Sequence, residues 1–193
     1  MIKKVKKEAL TTAHYALLYE ADPSKKMVED YITRGICFDY QTEELQGILV
    51  LLPTHPRTLE IVNIAVSEES RGRGIGQELL HFAIDFAKKE KYDYLEIGTG
   101  STGFQQLYLY QKVGFRMTHI EPDFFIHHYD EPIMENGLPL KDMVRLRLHL
   151  SYKTTFPVQE MLFFNAQELV TTHLAVESYN WVELLVLLER RSD

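Results

Sequence analysis

Apolar residues recur along this chain with two different spacings, and the changes from one to the other mark its elements. From Thr11 to Glu20 and from Ser24 to Arg34 the spacing is helical. Asp22-Pro23-Ser24 interrupts the two segments, with Ser24 placed to cap the second helix and Gly35 to stop it. Three apolar runs follow, Ile36–Tyr40, Gly47–Leu52 and Leu59–Val66. The turns Gln41–Leu45 and Pro53–Arg57 separate them, which predicts an antiparallel meander. The middle run, Gly-Ile-Leu-Val-Leu-Leu, is apolar on both faces and therefore predicts a central strand. The lysine-rich start, residues 1–9, reads as a short edge strand.

Helical spacing returns over Gly74–Glu90, where Ile75, Leu79, Phe82, Ala83, Phe86 and Ala87 fall on one face. Tyr92–Thr99 reads as a strand and Ser101–Val113 as a helix closed by Gly114. Phe115–Ile120 and Lys141–His149 read as two further strands, joined by a linker that carries the turn signal Asn136-Gly137. A meander followed by strand–helix alternation predicts an α/β domain: a mixed sheet with helices on both faces. Beyond it, Leu162, Ala166, Leu169, Val170 and Leu174 give residues 158–176 an amphipathic helical pattern. Trp181–Leu188 is apolar nearly all round and fits a helix or a strand.

Length and charge narrow the picture. The 193 residues suit one domain, 1–149, with a C-terminal extension, 150–193. Each buried Leu or Val of that extension is worth roughly 1.5–3 kcal/mol, so it is expected to cover its own domain or a second copy. A homodimer is the favoured reading, and capping of an open sheet edge is the alternative. A net charge of -7 excludes a general basic field for nucleic acid or an anionic membrane. The basic N-terminus lacks the apolar stretch of a secretory signal. No window approaches the roughly 18 apolar residues of a spanning helix. One cysteine, Cys37, fits a reducing compartment, so a cytoplasmic protein is expected.

The chemistry concentrates in Arg71-Gly72-Arg73-Gly74-Ile75-Gly76, between a predicted strand and a predicted helix. Glycines let the backbone approach a ligand closely, and the first amides of the helix point outward with the positive end of its dipole. Such a turn suits a pyrophosphate, to which Arg71 and Arg73 can add charged hydrogen bonds. A P-loop would need Lys and Ser/Thr after the last glycine. A dinucleotide fingerprint would need glycine at 77 or 79, where Gln77 and Leu79 stand. A plain tight turn is the other reading of this stretch by itself. Further along, Tyr110-Gln111-Lys112-Val113-Gly114-Phe115 ends the next strand–helix unit.

The two motifs, in this order and setting, resemble the GNAT superfamily of acetyl-CoA-dependent N-acetyltransferases. The resemblance covers roughly residues 1–149 and is sharpest from Gly47 to Phe115. It implies the GNAT fold, a mixed, mostly antiparallel sheet splayed between strands 4 and 5, with acetyl-CoA as co-substrate in the split. Backbone groups of Ile64, Ala65 and Val66 would bond the pantetheine arm, the Val66 amide polarising the thioester carbonyl. Arg71, Gly72, Arg73, Gly74, Ile75, Gly76 and Gln77 would hold the pyrophosphate. The second helix would line the other wall through Ser101, Gly103 and Gln106. Gly103 departs from the family pattern, which commonly has asparagine there.

The resemblance also assigns Tyr110 as the acid that protonates the departing thiolate. An amine acceptor is protonated at neutral pH and needs a base. Glu60 aligns with the glutamate base of the histone-acetylating branch, and Glu96, flanked by Leu95 and Ile97, is the second candidate. Cys37 lies upstream of both motifs, so direct transfer in a ternary complex is expected rather than an acetyl-cysteine route. The acceptor is expected to be a small-molecule or protein amine. The acidic, aromatic linker 121–141 would suit a cationic one, although a solvated loop has the same composition. His127-His128, read as neighbours on a strand, point apart and lack a third ligand, so no metal is expected. A non-catalytic coenzyme A binding or sensing module is the alternative function.

Overall fold

The computed structural model describes residues 1–150. Its elements are β1 (Ile2–Val5), α1 (Thr12–Ala21), α2 (Lys25–Arg34), β2 (Ile36–Gln41), β3 (Leu45–His55), β4 (Thr58–Val66) and α3 (Ile75–Lys89). There follow β5 (Tyr94–Gly100), α4 (Phe104–Lys112), β6 (Arg116–Glu121), α5 (Phe124–His128), β7 (Met134–Glu135), β8 (Leu138–Pro139) and β9 (Met143–His149). Seven strands form one sheet in the order β1-β2-β3-β4-β5-β9-β6. Neighbours are antiparallel except β4 and β5, which run parallel. This is the mixed, mostly antiparallel sheet that the strand pattern predicts. The patterns at 158–176 and 181–188 lie outside the described residues. Among those residues, no helix is long and apolar enough to cross a membrane.

The apolar run on β3 explains the two-sided core. Leu49 and Leu51 face α3, packing with Leu79, Leu80, Ala83 and Ala87. Ile48, Val50 and Leu52 face the other way, against Leu17 and Leu18 of α1 and Val28, Tyr31 and Ile32 of α2. A strand buried on both faces must be apolar at consecutive positions, because its side chains alternate. At the start of α2, the Ser24 hydroxyl accepts from the Met27 amide (3.3 Å), the expected cap.

Strand β4 carries the feature that opens the sheet. Val50 pairs with Asn63 but Leu51 with Ile61, so Val62 is an extra residue, a β-bulge. The bulge resets the alternation: Leu59 and Ile61 face α3 before it, Ile64 and Val66 after it. Pairing of β4 with β5 ends at the same place, running only from Thr58↔Tyr94 to Ile61↔Ile97. Beyond it the two strands part, and β5 continues with β9 alone, as in Gly98↔Arg145 and Gly100↔Met143. The split expected between the fourth and fifth strands is therefore present, at the bulge.

Some local expectations shift. Strand β3 runs on through Pro53 to His55, with an irregular register between those two that accommodates a residue lacking an amide donor. Helix α4 begins only at Phe104, because Gly103 closes a tight turn on Gly100 (N to O, 3.0 Å). Ser101 and Gly103 therefore precede the helix rather than lying on it. The linker is not one loop: it contains α5 and the β7–β8 hairpin, turned at Asn136 and Gly137 with φ of 51° and 76°. His127 and His128 lie in α5 and not on a strand.

Candidate active site

The split opens into a cavity of about 800 Å³. Its walls come from the α1–α2 turn, the outer half of β4, the end of β5, α4, and the α5 region. Glu60, Ile64, Gln106 and Tyr110 all line it, so four of the residues singled out in the sequence converge there. Glu96 does not. It lines a smaller cavity of about 450 Å³, which Glu60 also borders.

One edge of β4 faces the split without a strand partner. The Ser67 amide donates to Gln46 O (2.9 Å), which sets the phase of the antiparallel ladder with β3. Alternation then turns the backbone groups of Ala65 toward Ile48 on β3, and those of Ile64 and Val66 toward the open side. In agreement, Arg71 Nε donates to Val66 O at 3.3 Å. The open edge can therefore bond an extended arm as an added strand would.

At the far end of that edge stands the glycine turn. Gly72 and Gly74 have φ of 74° and 86°, left-handed values that side chains rarely adopt, and Gly74 is the residue before α3. Nothing lies within 4 Å of a β-carbon built on either, so the turn is open to a ligand. The leading amides of α3, at Ile75, Gly76 and Gln77, have no carbonyl one helical turn earlier to bond. Arg71 forms an ion pair with Glu20 at the end of α1, and so ties the turn to α1 and β4 together. Across the split, the Ser101 amide donates to Asp142 O (2.9 Å). A β-carbon on Gly103 would lie 2.9 Å from Thr99 Oγ1 and 3.2 Å from Gln106 Oε1. That crowding is a packing reason for glycine where the family commonly has asparagine.

Tyr110 is 6% exposed and lies near Phe115, with ring centroids 6.3 Å apart. Burial, and secondarily the negative charge of Glu135, push its phenol above the ordinary tyrosine range. Glu135 reaches this wall from the β7–β8 hairpin, where its carboxylate accepts from Thr102 Oγ1 at 2.5 Å. Cys37 is buried in the α1–α2 core, and desolvation pushes its thiol up to about 11.

Glu60 and Glu96 are direct neighbours across the parallel pair. Each is bonded to an arginine of β9. Arg145 Nη1 donates to Glu60 Oε1 (2.7 Å), and Arg147 Nε to Glu96 Oε1 (2.7 Å). Arg145 Nε also donates to Glu121 Oε1 on β6 (2.6 Å). Desolvation raises the pKa of Glu60, Arg145 opposes that rise, and Glu96 and Glu121 add to it; the balance leaves it above the usual carboxylate range. Arg145 escaped the sequence reading, although the alternation Arg145-Leu146-Arg147-Leu148 marks one face of a strand as cationic.

A second group closes the cavity opposite. Asp22 is buried, accepting from the Ser24 amide (3.0 Å) and from the Tyr129 hydroxyl (3.1 Å). Tyr31 accepts from Asn63 Nδ2 at 2.8 Å, linking α2 to β4 just past the bulge. Burial raises the Asp22 pKa, and no lysine or arginine among the described residues pairs with it. The contacts of Asp22 with Tyr129 and of Tyr31 with Asn63 join segments far apart in sequence, and no local pattern announces them.

Comparisons with known proteins identify the family and the fold. The model of the acetyltransferase (GNAT) family matches residues 7–115. An uncharacterized N-acetyltransferase of Bacillus subtilis (strain 168), YvbK, is 53% identical over 137 residues, spanning 70% of this chain and 88% of its own. A crystal structure of a Bacillus subtilis acetyltransferase in complex with CoA is 49% identical, with a TM-score of 0.73, over 77% of this chain and 97% of the other. A GNAT family acetyltransferase from Elizabethkingia anophelis with acetyl-CoA bound is 42% identical, with a TM-score of 0.74, over 78% and 97%.

Proposed function

Because the chain belongs to the acetyltransferase (GNAT) family, we propose that it transfers an acetyl group from acetyl-CoA to a primary amine by direct attack in a ternary complex. The observation that carries this reading is the convergence of Glu60 and Tyr110 on one cavity beside an open β4 edge. The CoA and acetyl-CoA bound to two relatives support acetyl-CoA as the donor. Backbone groups of Ile64 and Val66 would hold its pantetheine arm. Residues Arg71 to Gln77 would hold its pyrophosphate.

In this mechanism Glu60 removes a proton from the acceptor ammonium, and the free amine attacks the thioester carbonyl. The carbon–nitrogen bond forms, the carbon–sulfur bond breaks, and Tyr110 gives its proton to the leaving sulfur; the attacking nitrogen sheds its second proton, which restores the phenol, and the proton held by Glu60 passes to solvent. The buried Cys37 thiol, about 11 in pKa, is a poor nucleophile, which favours direct transfer over an acetyl-cysteine intermediate. The cavity wall with Asp22, Tyr129 and Phe125 suits a cationic acceptor.

The test is release of free thiol from acetyl-CoA with a panel of small amines and lysine peptides. Turnover with any of them supports the enzyme. Tight acetyl-CoA binding with no turnover would favour the coenzyme A sensing module instead. Within that assay, Glu60→Gln is expected to lower kcat/KM about 10²-fold and to remove the acidic limb of its pH profile. In the wild type that limb lies above the ordinary carboxylate range, because the Glu60 pKa is raised: the base is protonated and inactive below it. Glu96→Gln, outside the larger cavity, is the comparison and should retain most activity.

The apolar segments beyond residue 150 support a second proposal, that the chain is a homodimer through its C-terminal extension. Light scattering is expected to give a dimeric mass for the full chain and a monomeric mass for a chain ending at His149. A monomeric full chain at micromolar concentration would remove the dimer.

A further inference from the structure

Strand β5 lies between β4 and β9, so Arg145 can touch Glu60 only by crossing it. The residue of β5 in register with Arg145 is Gly98. A β-carbon built there would lie 3.2 Å from Arg145 Nη1 and 2.6 Å from Met143 Sδ. The space that a side chain at 98 would fill is thus taken by the guanidinium and by Met143. From that gap the rigid fork of Arg145 serves two carboxylates at once, Nη1 on Glu60 and Nε on Glu121, while its face lies over the Phe124 ring (5.5 Å). The arginine and Glu60 are both largely buried, with side chains 23% and 17% exposed.

We propose that Arg145 is the positioning residue of the proton-transfer step, reaching through the gap at Gly98 to hold Glu60 in place as a charged base. This rests on the reading of Glu60 as the base. The titratable groups that share a cavity with Glu60 include Glu96 and Tyr94 on β5, Arg147 on β9, Glu121 and His119 on β6, His55 on β3, and, across the larger cavity, Asp22, Tyr31, Tyr110, His127, His128, Tyr129 and Glu135. Glu96 is already bonded to Arg147, and His119 lies 3.7 Å from Glu121. Without Arg145, Glu60 would be a partly buried carboxylate beside two others. Such a group binds a proton instead of taking one from an amine. Lysine carries the charge but not the fork, and cannot bridge Glu60 and Glu121 in the same way.

The test is the pH dependence of kcat/KM, by thiol release with the best acceptor of the panel, together with thermal melts. Arg145→Gln should move the acidic limb up by about one pH unit or more, and Arg145→Lys by less. Gly98→Ala should also move it up, by less, because its methyl group crowds Arg145 Nη1, 3.2 Å away, as well as Met143. Combined with Arg145→Gln, it should add no further shift, since both changes act on one contact. An unmoved limb in Arg145→Gln, with the limb lost in Glu60→Gln, would overturn the inference and leave Glu60 as the base. A lower melting temperature with an unmoved limb would reduce Arg145 to a structural role. A wild-type limb in Glu60→Gln would instead overturn the base itself. Should Arg145→Gln fail to fold, Arg145→Lys and Gly98→Ala decide alone: unmoved limbs in both reject the inference.

Discussion

Acetyl-CoA affinity should fall at least about a hundredfold in Gly74→Asp, with the fold intact. Gly74 sits before α3 with φ of 86° and ψ of -3°, and a β-carbon there meets nothing within 4 Å. Aspartate tolerates left-handed backbone better than most residues and is among the preferred residues at helix starts, so the protein should melt within a few degrees of wild type. Its carboxylate would, however, stand at the leading amides of α3 and satisfy them itself. It would also repel the pyrophosphate those amides are expected to hold. Two charge-assisted hydrogen bonds, at about 1.5–3 kcal/mol each, account for the size of the loss. Calorimetry with the folded variant measures it, with Gly74→Ala as the control that adds backbone strain but no charge. Unchanged affinity in the aspartate variant would remove the turn from the cofactor site.

Tyr110→Phe should lower kcat about 10²-fold and leave acetyl-CoA affinity nearly unchanged. The ring is buried against the α3-side core, and phenylalanine keeps its shape, so only the hydroxyl is lost. Apolar burial and the nearby Glu135 charge both disfavour the tyrosinate. The phenol therefore keeps its proton through the physiological range, so that the proton is in place when the sulfur departs. By the same sign, loss of activity through Tyr110 ionisation falls above the ordinary tyrosine pKa, not near neutral pH. Steady-state kinetics against acetyl-CoA, with binding measured separately, tests the assignment. Wild-type turnover by the phenylalanine variant would take Tyr110 out of the mechanism.

The two predictions depend on different levels of information. The glycine turn, its flanking strand and helix, and Tyr110 at the end of the next helix form short contiguous patterns. Each is governed by local physics: positive φ needs glycine, a helix start exposes amides, and a two-sided strand must be continuously apolar. These could be read from neighbouring residues, and the structure finds the corresponding elements within a few positions. The exceptions were local too, since Pro53 hid the end of β3 and Gly103 delayed the start of α4.

What the chain order could not reveal depends on contacts between distant segments. The bulge at Val62 exists only relative to β3, and the split only because β5 continues with β9 after leaving β4. The choice between Glu60 and Glu96 was open in the sequence, where both are strand glutamates among apolar neighbours. They part in space because Glu60 borders the cavity that holds Tyr110 and Glu96 does not. Arg145, 85 residues from Glu60, reaches it through a gap that a glycine on a third strand provides. Hydrophobic periodicity records which face of an element is buried, but not which element lies beside it. Charge pairing across a sheet depends on that second fact, which strand order and register supply only when the whole chain has folded.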